Sequence, residues 1–376
     1  MEKRVLVLGG EQWKTLSIVR SLGKKGIEVD VASKHKLALC FYSKYCKSKY
    51  MLPEDSWLKK LLKILKIKKY DLIIPAGEEE SIILSKIKNL PVILPSTKSL
   101  EIVANKILTI KLMKEIGIPL PKTYIVKNLK DLNKIKEKLK YPVIIRPSYF
   151  KYHSRPHYIF KKEKFLKEYL EYHRKSPFPF IQEVVIGDTY GFFALCKNGK
   201  ILQYFAHKRI IEQDPKGAGS AVCVSSSIHP KMKEYSEKIL KKLKWNGVAM
   251  IEYKKDEKDG EFKLIEINGR FWGSLPLAIY AGVDFPYQLY CLAVGEKFKT
   301  VRKWRRVCAG HLLGVMIYLF RVLKDKSKDW SFYYPNFWEA IKKIASLRNC
   351  KPYVFDFQDP LPFFIEFLYK IASVIF

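Results

Sequence analysis

Paired cysteines are missing from this sequence. Its 376 residues include seven cysteines, an odd number, and no two of them have C-x-x-C spacing. The sequence therefore predicts neither a disulfide framework nor a structural zinc site. We expect reduced, mostly buried thiols, as in cytosolic proteins. They are Cys40, Cys46, Cys196, Cys223, Cys291, Cys308 and Cys350.

The sequence also lacks a long uncharged apolar run. Its first ten residues, MEKRVLVLGG, contain a short apolar run before a glycine pair. This is typical of a first strand and not of a secretory signal. No stretch reaches the length of a membrane span. We expect a cytoplasmic protein, and peripheral contact with the inner face of the membrane stays open as an alternative.

Acidic residues are scarce relative to basic ones. Lys and Arg number 70, Asp and Glu number 37, and the formal net charge is +33. Such a charge is found in proteins that bind nucleic acid, anionic membranes or anionic small molecules. The lysines are spread almost evenly among many Ile and Glu, a composition also found in proteins of hot-growing organisms. Because no single run concentrates the charge, nucleic-acid binding is not expected.

The N-terminal part of the chain alternates between strand and helix patterns. RVLVLGG, TLSIVRSLGKKG and IEVDV predict a strand, a helix and a second strand. SWLKKLLKILKIKKY predicts an amphipathic helix, DLIIPAG a buried strand and PVILPS another strand near residue 92. This order is typical of a Rossmann-like α/β domain. The Gly9-Gly10 pair lacks the full nucleotide-binding spacing, so we interpret it as a tight turn.

The rest of the chain predicts an α+β organisation. DLNKIKEKLK predicts a helix, YPVIIRPS a buried strand, and KNGK a hairpin turn between two longer strands. The aromatic-rich end predicts helices that pack on the body or form a dimer interface, with membrane contact as the alternative. We expect domains at 1–95, 96–180, 181–296 and 297–376, the last mostly helical.

A second hairpin carries the strongest chemical signal. In VAMIEYKKDEKDGEFKLIEINGR the Asp259-Gly260 pair predicts the turn, and a hairpin symmetric about Asp259 places Glu252 opposite Glu266. Asn268 shares a face with Glu266 because strand side chains repeat every two residues. Two carboxylates and an amide oxygen are ligands that suit Mg²⁺ or Mn²⁺, and Arg270 would reach the phosphates that such a metal carries. The alternative is a solvent-exposed strand face with ordinary charges.

These residues resemble the metal hairpin of the ATP-grasp superfamily. GVAMIEY and LIEINGRFWGSLPLAIYAGVDFP are similar to its carbamoyl-phosphate-synthetase-like, predicted carboxylate–amine ligase branch, and the resemblance covers roughly residues 1–295. It implies a Rossmann-like pre-ATP-grasp domain and two α+β subdomains that hold ATP between them. It also implies that Glu252, Glu266 and Asn268 bind the metal and that Arg270 contacts the transferred phosphate.

The same resemblance implies further nucleotide and substrate contacts. ANKILTIKLMKEIGIPLPKTY makes Lys106 a phosphate contact, with Asn105 where an Asp is usual. YPVIIRPS places Arg146 where the family has a lysine, a change that adds a planar fork to the charge. HKRIIEQDPKGAGSAV resembles the loop that faces the second substrate, with Arg209 and a small turn at 217–220. The implied adenine and ribose contacts are Gln182, Glu183, Val184, Val185 and Asp188.

One segment departs from the family pattern. The family has a glycine-rich loop over the phosphates, whereas SYFKYHSRPHYIF contains no glycine. Lys151, His153, Ser154 and Arg155 could supply side-chain charge in place of backbone N–H groups. A loop that only contacts solvent, with weak ATP binding, is the alternative.

The resemblance implies an ATP-dependent, ADP-forming ligase. A carboxylate would attack the γ-phosphate to give an acyl phosphate, which an amine would then displace. The acid is expected to be anionic, such as an amino acid or a cell-wall-type peptide precursor, and a homodimer is left open. Two alternatives remain: an enzyme that only phosphorylates a carboxylate or carbamate, and a degenerate ATP-grasp protein that is a basic module for binding membranes or nucleic acid.

Overall fold

The structure, a computed structural model, describes residues 3–149, 152, 154–215, 217–324, 334–347 and 349–375. Three β-sheets organise these residues. The sheets are separate in the hydrogen-bonding sense, but apolar side chains pack across them, and the largest buried cluster joins residues of the first sheet, the largest sheet and the C-terminal region.

The N-terminal sheet is parallel, and its strand order is β3-β2-β1-β4. Its elements are β1 (Arg4–Leu8), α1 (Trp13–Gly23), β2 (Glu28–Ser33), β3 (Cys46–Met51), α2 (Trp57–Ile67), β4 (Leu72–Ile74) and α3 (Glu78–Ser85). Val5, Val7, Val29 and Val31 are fully buried, as expected where both faces of a parallel sheet are covered. The Rossmann-like prediction is confirmed.

The strand predicted at PVILPS is wrong. Residues 92–96 form no strand, and one backbone bond, from Ile73 N to Pro91 O at 2.7 Å, joins the segment to β4. Pro91 and Pro95 have no N–H group to donate, so the segment cannot form a continuous ladder.

The second sheet is antiparallel, in the order β5-β8-β6-β7. Its strands and the surrounding helices are α4 (Thr97–Ala104), α5 (Lys106–Glu115), β5 (Thr123–Tyr124), α6 (Leu132–Lys138), β6 (Val143–Arg146), β7 (His157–Ile159), α7 (Phe165–Lys175) and β8 (Phe180–Glu183). α6 and α7 cover one face, where Leu132, Phe165 and Tyr169 are buried with Val143.

The third sheet has seven strands, in the order β13-β12-β9-β10-β11-β14-β15. Its elements up to residue 294 are β9 (Thr189–Lys197), β10 (Lys200–Asp214), β11 (Ala218–Ser225), α8 (Pro230–Lys242), β12 (Gly247–Lys255), β13 (Phe262–Asn268), α9 (Leu275–Ala281) and α10 (Phe285–Val294). The KNGK turn is confirmed between β9 and β10. Asn198 and Gly199 both have positive φ, 49° and 78°, which a two-residue hairpin turn requires.

In its described residues, the C-terminal region adds two strands to this sheet and three helices to the body. They are β14 (Cys308–Gly310), α11 (Leu312–Lys324), α12 (Phe337–Ala345), β15 (Lys351–Pro352) and α13 (Leu361–Ile375). Asp359 ties the region to the N-terminal domain, because its carboxylate accepts hydrogen bonds from Arg20 Nε at 2.8 Å, Ser43 Oγ at 2.7 Å and Lys44 N at 2.8 Å. The four predicted domain boundaries stay a prediction.

The prediction that all seven cysteines are reduced is wrong, because Cys308 and Cys350 form a disulfide. Cys308 opens β14 and Cys350 directly precedes β15, and these two strands pair in parallel. Cysteines 42 residues apart in sequence are brought together by that pairing, which spacing alone does not reveal. The other five, Cys40, Cys46, Cys196, Cys223 and Cys291, are free thiols.

Within the described residues, no single helix has both the length and the apolar composition needed to cross a membrane. α9 and α10 pass the same test only as a pair bent by 87°. Both helices lie largely in the protein core, with Leu275, Leu277, Phe285 and Cys291 fully buried.

Candidate active site

A cleft of about 440 Å³ lies between the antiparallel sheet and the face of the seven-stranded sheet. Most of the predicted site residues line it. They are Arg146, Gln182, Glu183, Val184, Val185, Arg209, Glu252, Glu266, Asn268 and Arg270. Side chains predicted from segments more than 100 residues apart therefore share one cavity.

The β12–β13 hairpin has the predicted register. Glu252 pairs with Glu266 and Met250 with Asn268, so both carboxylates and the amide lie on the face that lines the cleft. Two aspartate side chains fix the turn, since Asp256 Oδ1 accepts from Lys258 N and Asp259 Oδ1 from Glu261 N, each at 3.0 Å. The predicted pairing is confirmed; that the three residues bind a metal stays a prediction.

Glu266 lies between two cations. Lys106 Nζ is 3.5 Å and an Arg146 amine 3.4 Å from its Oε2. Burial opposes ionisation of this carboxyl, but the nearby positive charges outweigh burial and lower the pKa of Glu266 to about 2. Glu266 is therefore an ionised acceptor at neutral pH.

Asn105 and Lys106 begin α5. The Asn105 side chain caps the helix by accepting from Ile107 N at 3.0 Å and Leu108 N at 3.2 Å. An Asn caps as well as the Asp usual in the family, so this departure preserves the helix start. Lys106 N donates to Ser148 O at 2.9 Å, which anchors the helix beside the end of β6.

The Arg146 guanidinium connects three elements. Besides Glu266, it reaches Gln182 Oε1 at 3.4 Å on β8 and Ile265 O at 3.3 Å on β13. A lysine ammonium on a flexible stem has no such planar fork. Arg146, at the position where the ATP-grasp sequences that this chain resembles have a lysine, therefore adds a link between the two sheets across the cleft.

Arg209 is buried between the carboxylates of Glu252 and Glu212. Its guanidinium contacts Glu252, and its second amine is 3.4 Å from Glu212 Oε1. Burial raises the pKa of Glu252, an effect that the Arg209 charge offsets only in part. Arg209 lines the cleft as predicted, but in this state its amines are directed at carboxylates, and its substrate role stays a prediction.

The segment from 207 to 220, expected to be a loop, is mostly two paired strands. β10 and β11 pair on either side of a tight turn in which Gly217 N donates to Asp214 O at 2.8 Å. The prediction of a loop is wrong because β10 is long. It runs from Lys200 through Asp214 and carries Arg209 on a rigid strand.

The predicted adenine segment follows β8. Gln182 Nε2 donates to Thr123 Oγ1 at 2.9 Å, and Val185 O accepts from Lys254 Nζ at 3.3 Å. Asp188 lies apart from the cleft, half exposed, with its carboxylate 2.5 Å from Lys208 Nζ. Asp188 instead lines a neighbouring cavity of about 730 Å³, together with Val184, Val185 and Arg209.

The glycine-free loop contributes Pro156 and Tyr158 to the cleft. Ser154 and Arg155 were predicted to contact phosphate; Ser154 Oγ donates to Tyr152 O at 3.1 Å, and Arg155 is exposed. Lys151 and His153 lie outside the described residues.

Arg270 extends the charged wall toward the N-terminal domain. Its Nε is 3.6 Å from Glu78 Oε1 at the start of α3, and one of its amines donates to Asn268 Oδ1 at 3.3 Å. Arg270 thus contacts both a predicted metal ligand and the first sheet's helix layer.

Sequence reasoning missed the far end of the cleft. His207 is buried there, with Nδ1 3.0 Å from Ser274 Oγ, and burial lowers its pKa. Trp13 Nε1 donates to Gly273 O at 2.9 Å, and its ring stacks on His311 at 4.5 Å. His207 begins the HKRIIEQ segment and Gly273 and Ser274 directly follow Arg270, so the sequence offered signals for these three, but none for Trp13.

Among the described residues, no group of three or more His, Cys, Asp or Glu side chains is arranged to hold a metal. The hairpin set contains only two such residues, Glu252 and Glu266, and its third donor is the amide of Asn268. Its chemistry is therefore that of an oxygen-only site.

Solved structures identify the class of this architecture. N5-carboxyaminoimidazole synthetase from Staphylococcus aureus is 16% identical, with 87% of this chain and 86% of that chain covered at a TM-score of 0.68. The biotin carboxylase domain of 2-oxoglutarate carboxylase from Hydrogenobacter thermophilus is 18% identical, with 82% of this chain and 74% of that chain covered at a TM-score of 0.67. Biotin carboxylase from Campylobacter jejuni is 15% identical, with 82% of this chain and 75% of that chain covered at a TM-score of 0.68.

The chain therefore has the ATP-grasp fold, and the predicted fold class is confirmed. Residues 206–309 match the model of a family described as "ATP-grasp in the biosynthetic pathway with Ter operon". No curated protein sequence matches the chain.

Proposed function

We propose that this protein is an ATP-dependent, ADP-forming ligase that activates a carboxylate as an acyl phosphate and transfers the acyl group to an amine. The observation that carries the proposal is the pairing of Glu252 with Glu266 in a cleft that also contains Asn268. The ATP-grasp match over residues 206–309 and the structural neighbours support it.

The donor set fits a hard divalent cation. Glu252, Glu266 and Asn268 offer only oxygen, two of the three side chains are acidic, and Glu266 stays ionised at neutral pH. Mg²⁺ or Mn²⁺ held there would neutralise phosphate charge as the γ-phosphoryl group moves. Two of the similar structures, the Hydrogenobacter thermophilus domain and the Staphylococcus aureus synthetase, hold bound MgADP and ADP respectively, which supports the same ligands here.

The chain's own residues supply the rest of the chemistry. Lys106, Arg146 and Arg270 are the cations that would orient the phosphates and stabilise their charge. Gln182, Glu183, Val184 and Val185 would hold the adenine, with Asp188 proposed for the ribose. Burial of the cleft between two sheets would keep water from the acyl phosphate.

The carboxylate substrate is proposed to be a small anionic acid, such as an amino acid or a cell-wall-type peptide precursor. Arg270 and Arg209 are the cations beside the far end of the cleft that would contact it. A second candidate is phosphorylation of bicarbonate, because two of the similar biotin carboxylase domain structures contain bound bicarbonate.

Product release separates these functions. Purified protein with Mg²⁺, ATP and panels of acid and amine pairs should release ADP and phosphate only when both partners are present. Release with bicarbonate alone would favour the second candidate. No ATP binding by calorimetry at millimolar Mg²⁺ would overturn both.

A further inference from the structure

The C-terminal helices turn apolar side chains outward. On α11, Leu312, Met316, Phe320 and Leu323 recur every three or four residues and are 51–62% exposed. This spacing puts them on one helical face. The opposite face of α11, with Leu313, Tyr318 and Val322, is buried against the body. The outward stripe is therefore apolar surface that the described part of the fold leaves exposed.

α13 has a second outward stripe. Leu361, Phe364 and Leu368 are 55–60% exposed and again follow three- and four-residue spacing. Its inward face holds Glu366, whose Oε1 is 3.0 Å from His311 Nε2 just before α11. The two helices therefore meet at one point, where Val315 and Phe363 line a shared apolar cavity of about 330 Å³.

Cations surround these stripes. Trp338, 77% exposed on α12, lies one turn from the exposed Lys342, and Lys324 Nζ lies 5.8 Å from the Phe320 ring. Near α13, the Tyr369 ring contacts His35, beside the exposed Lys36. Exposed aromatic and aliphatic residues flanked by lysine are typical of helices that lie in a membrane interface.

We propose that this C-terminal surface, defined by the outward faces of α11 and α13 with Trp338, docks on an anionic lipid bilayer. Charge decides between a bilayer and a second copy of the chain. On and beside these helices Lys324, Lys342, Lys343 and Lys351 are exposed, whereas the acidic Asp359 and Glu366 are buried, so the exposed charge there is mainly positive. A second copy would bring like charge to the same face, whereas anionic headgroups attract it.

The docking is peripheral. The described helices are too short or too charged to span a bilayer singly, and the stripes occupy one face of each helix. The side chains would enter the headgroup and acyl boundary while the buried faces keep their contacts with the body.

Vesicle sedimentation of the full chain tests this surface. The protein should bind phosphatidylcholine vesicles containing about 30% phosphatidylglycerol at least about tenfold more tightly than pure phosphatidylcholine vesicles. Met316→Gln with Phe320→Ser, and separately Phe364→Ser with Leu368→Ser, should each weaken binding severalfold without a change of net charge. The matched control, Leu62→Ser with Ile67→Ser on α2, removes exposed apolar side chains from another surface and should bind like wild type.

Melting temperatures near that of wild type would show that the variants fold. Equal binding of wild type and both stripe variants would overturn the proposal, since charge alone would then explain the attachment. So would no vesicle binding by wild type. A wild-type dimer that Met316→Gln with Phe320→Ser converts to a monomer would assign the surface to a second copy and overturn the bilayer. None of these outcomes depends on the proposed ligase activity.

Discussion

At the residue scale, Glu266 has the most contacts with the other predicted site residues. It is paired with Glu252 across the hairpin and is within 3.5 Å of Lys106 and Arg146. Glu266→Ala should lower Mg²⁺-dependent ADP formation by about 10²–10³-fold, because the variant lacks a carboxylate proposed to hold the Mg²⁺ that neutralises phosphate charge. Steady-state ADP release measures this. Glu261→Ala, on the same hairpin but paired with Lys231 at the surface, is the control and should stay near wild type. Wild-type turnover in Glu266→Ala would remove the metal assignment.

Arg146 offers a more conservative test. Arg146→Lys keeps the positive charge beside Glu266 but loses the contacts with Gln182 and Ile265 O. We expect activity within about tenfold of wild type with a higher KM for ATP, whereas Arg146→Met should lose most activity. Complete loss in Arg146→Lys would show that the planar fork itself is required.

At the scale of elements, β9 and β10 pack so closely that position 191 has no room for a side chain and requires glycine. A Cβ on Gly191 would lie 2.6 Å from Phe193 Cζ and 2.7 Å from His207 Nε2. Gly191→Ala should therefore destabilise the protein by about 1–3 kcal/mol through overpacking. Urea denaturation measures the change, and Gly273→Ala, whose Cβ would meet Trp13 at an ordinary 3.4 Å, is the control. Equal stability of the two variants would contradict this account.

The Cys308–Cys350 disulfide also joins two elements, β14 and the start of β15. Cys308→Ser should lower stability by about 2–4 kcal/mol under oxidising conditions, since the loop between the two cysteines is no longer closed. Thermal melts with and without reductant measure it. Reductant should shift the wild type toward the variant and leave the variant unchanged; a wild type that is insensitive to reductant would contradict the bond's contribution.

The sequence was most informative where the structure depends on neighbours along the chain. The Asp259-Gly260 turn and alternating β13 pattern were enough to pair Glu252 with Glu266. The sequence was least informative where distant segments meet. The parallel pairing that joins Cys308 to Cys350, and the approach of Trp13 to Gly273, depend on packing that has no local pattern. The segment that ends at Pro95 is an example of a local pattern that misled. Its apolar residues predicted a strand, but proline has no N–H group to donate to a ladder.

At the scale of the whole molecule, Asp359 joins the two ends of the chain. It is 2% exposed, and Arg20 also donates to its backbone oxygen at 2.6 Å. Asp359→Ala should cost about 3–5 kcal/mol, because it leaves the Arg20 charge buried without its partner. The control is Asp356→Ala, which breaks a partly exposed pair with Lys24 and should cost about 0–1 kcal/mol. Denaturant midpoints compare them, and a small effect at both positions would contradict the proposed tie.

The Glu366–His311–Trp13 contact has a consequence for any effort to change which substrates the proposed ligase accepts. Trp13 forms part of the cleft wall, yet it rests on a histidine that a C-terminal helix holds from behind. Remodelling α13 should therefore change which co-substrate the proposed ligase prefers, although none of the described residues that line the cleft belongs to α13. Libraries for directed evolution of this scaffold should include that distant helix as well as the pocket itself.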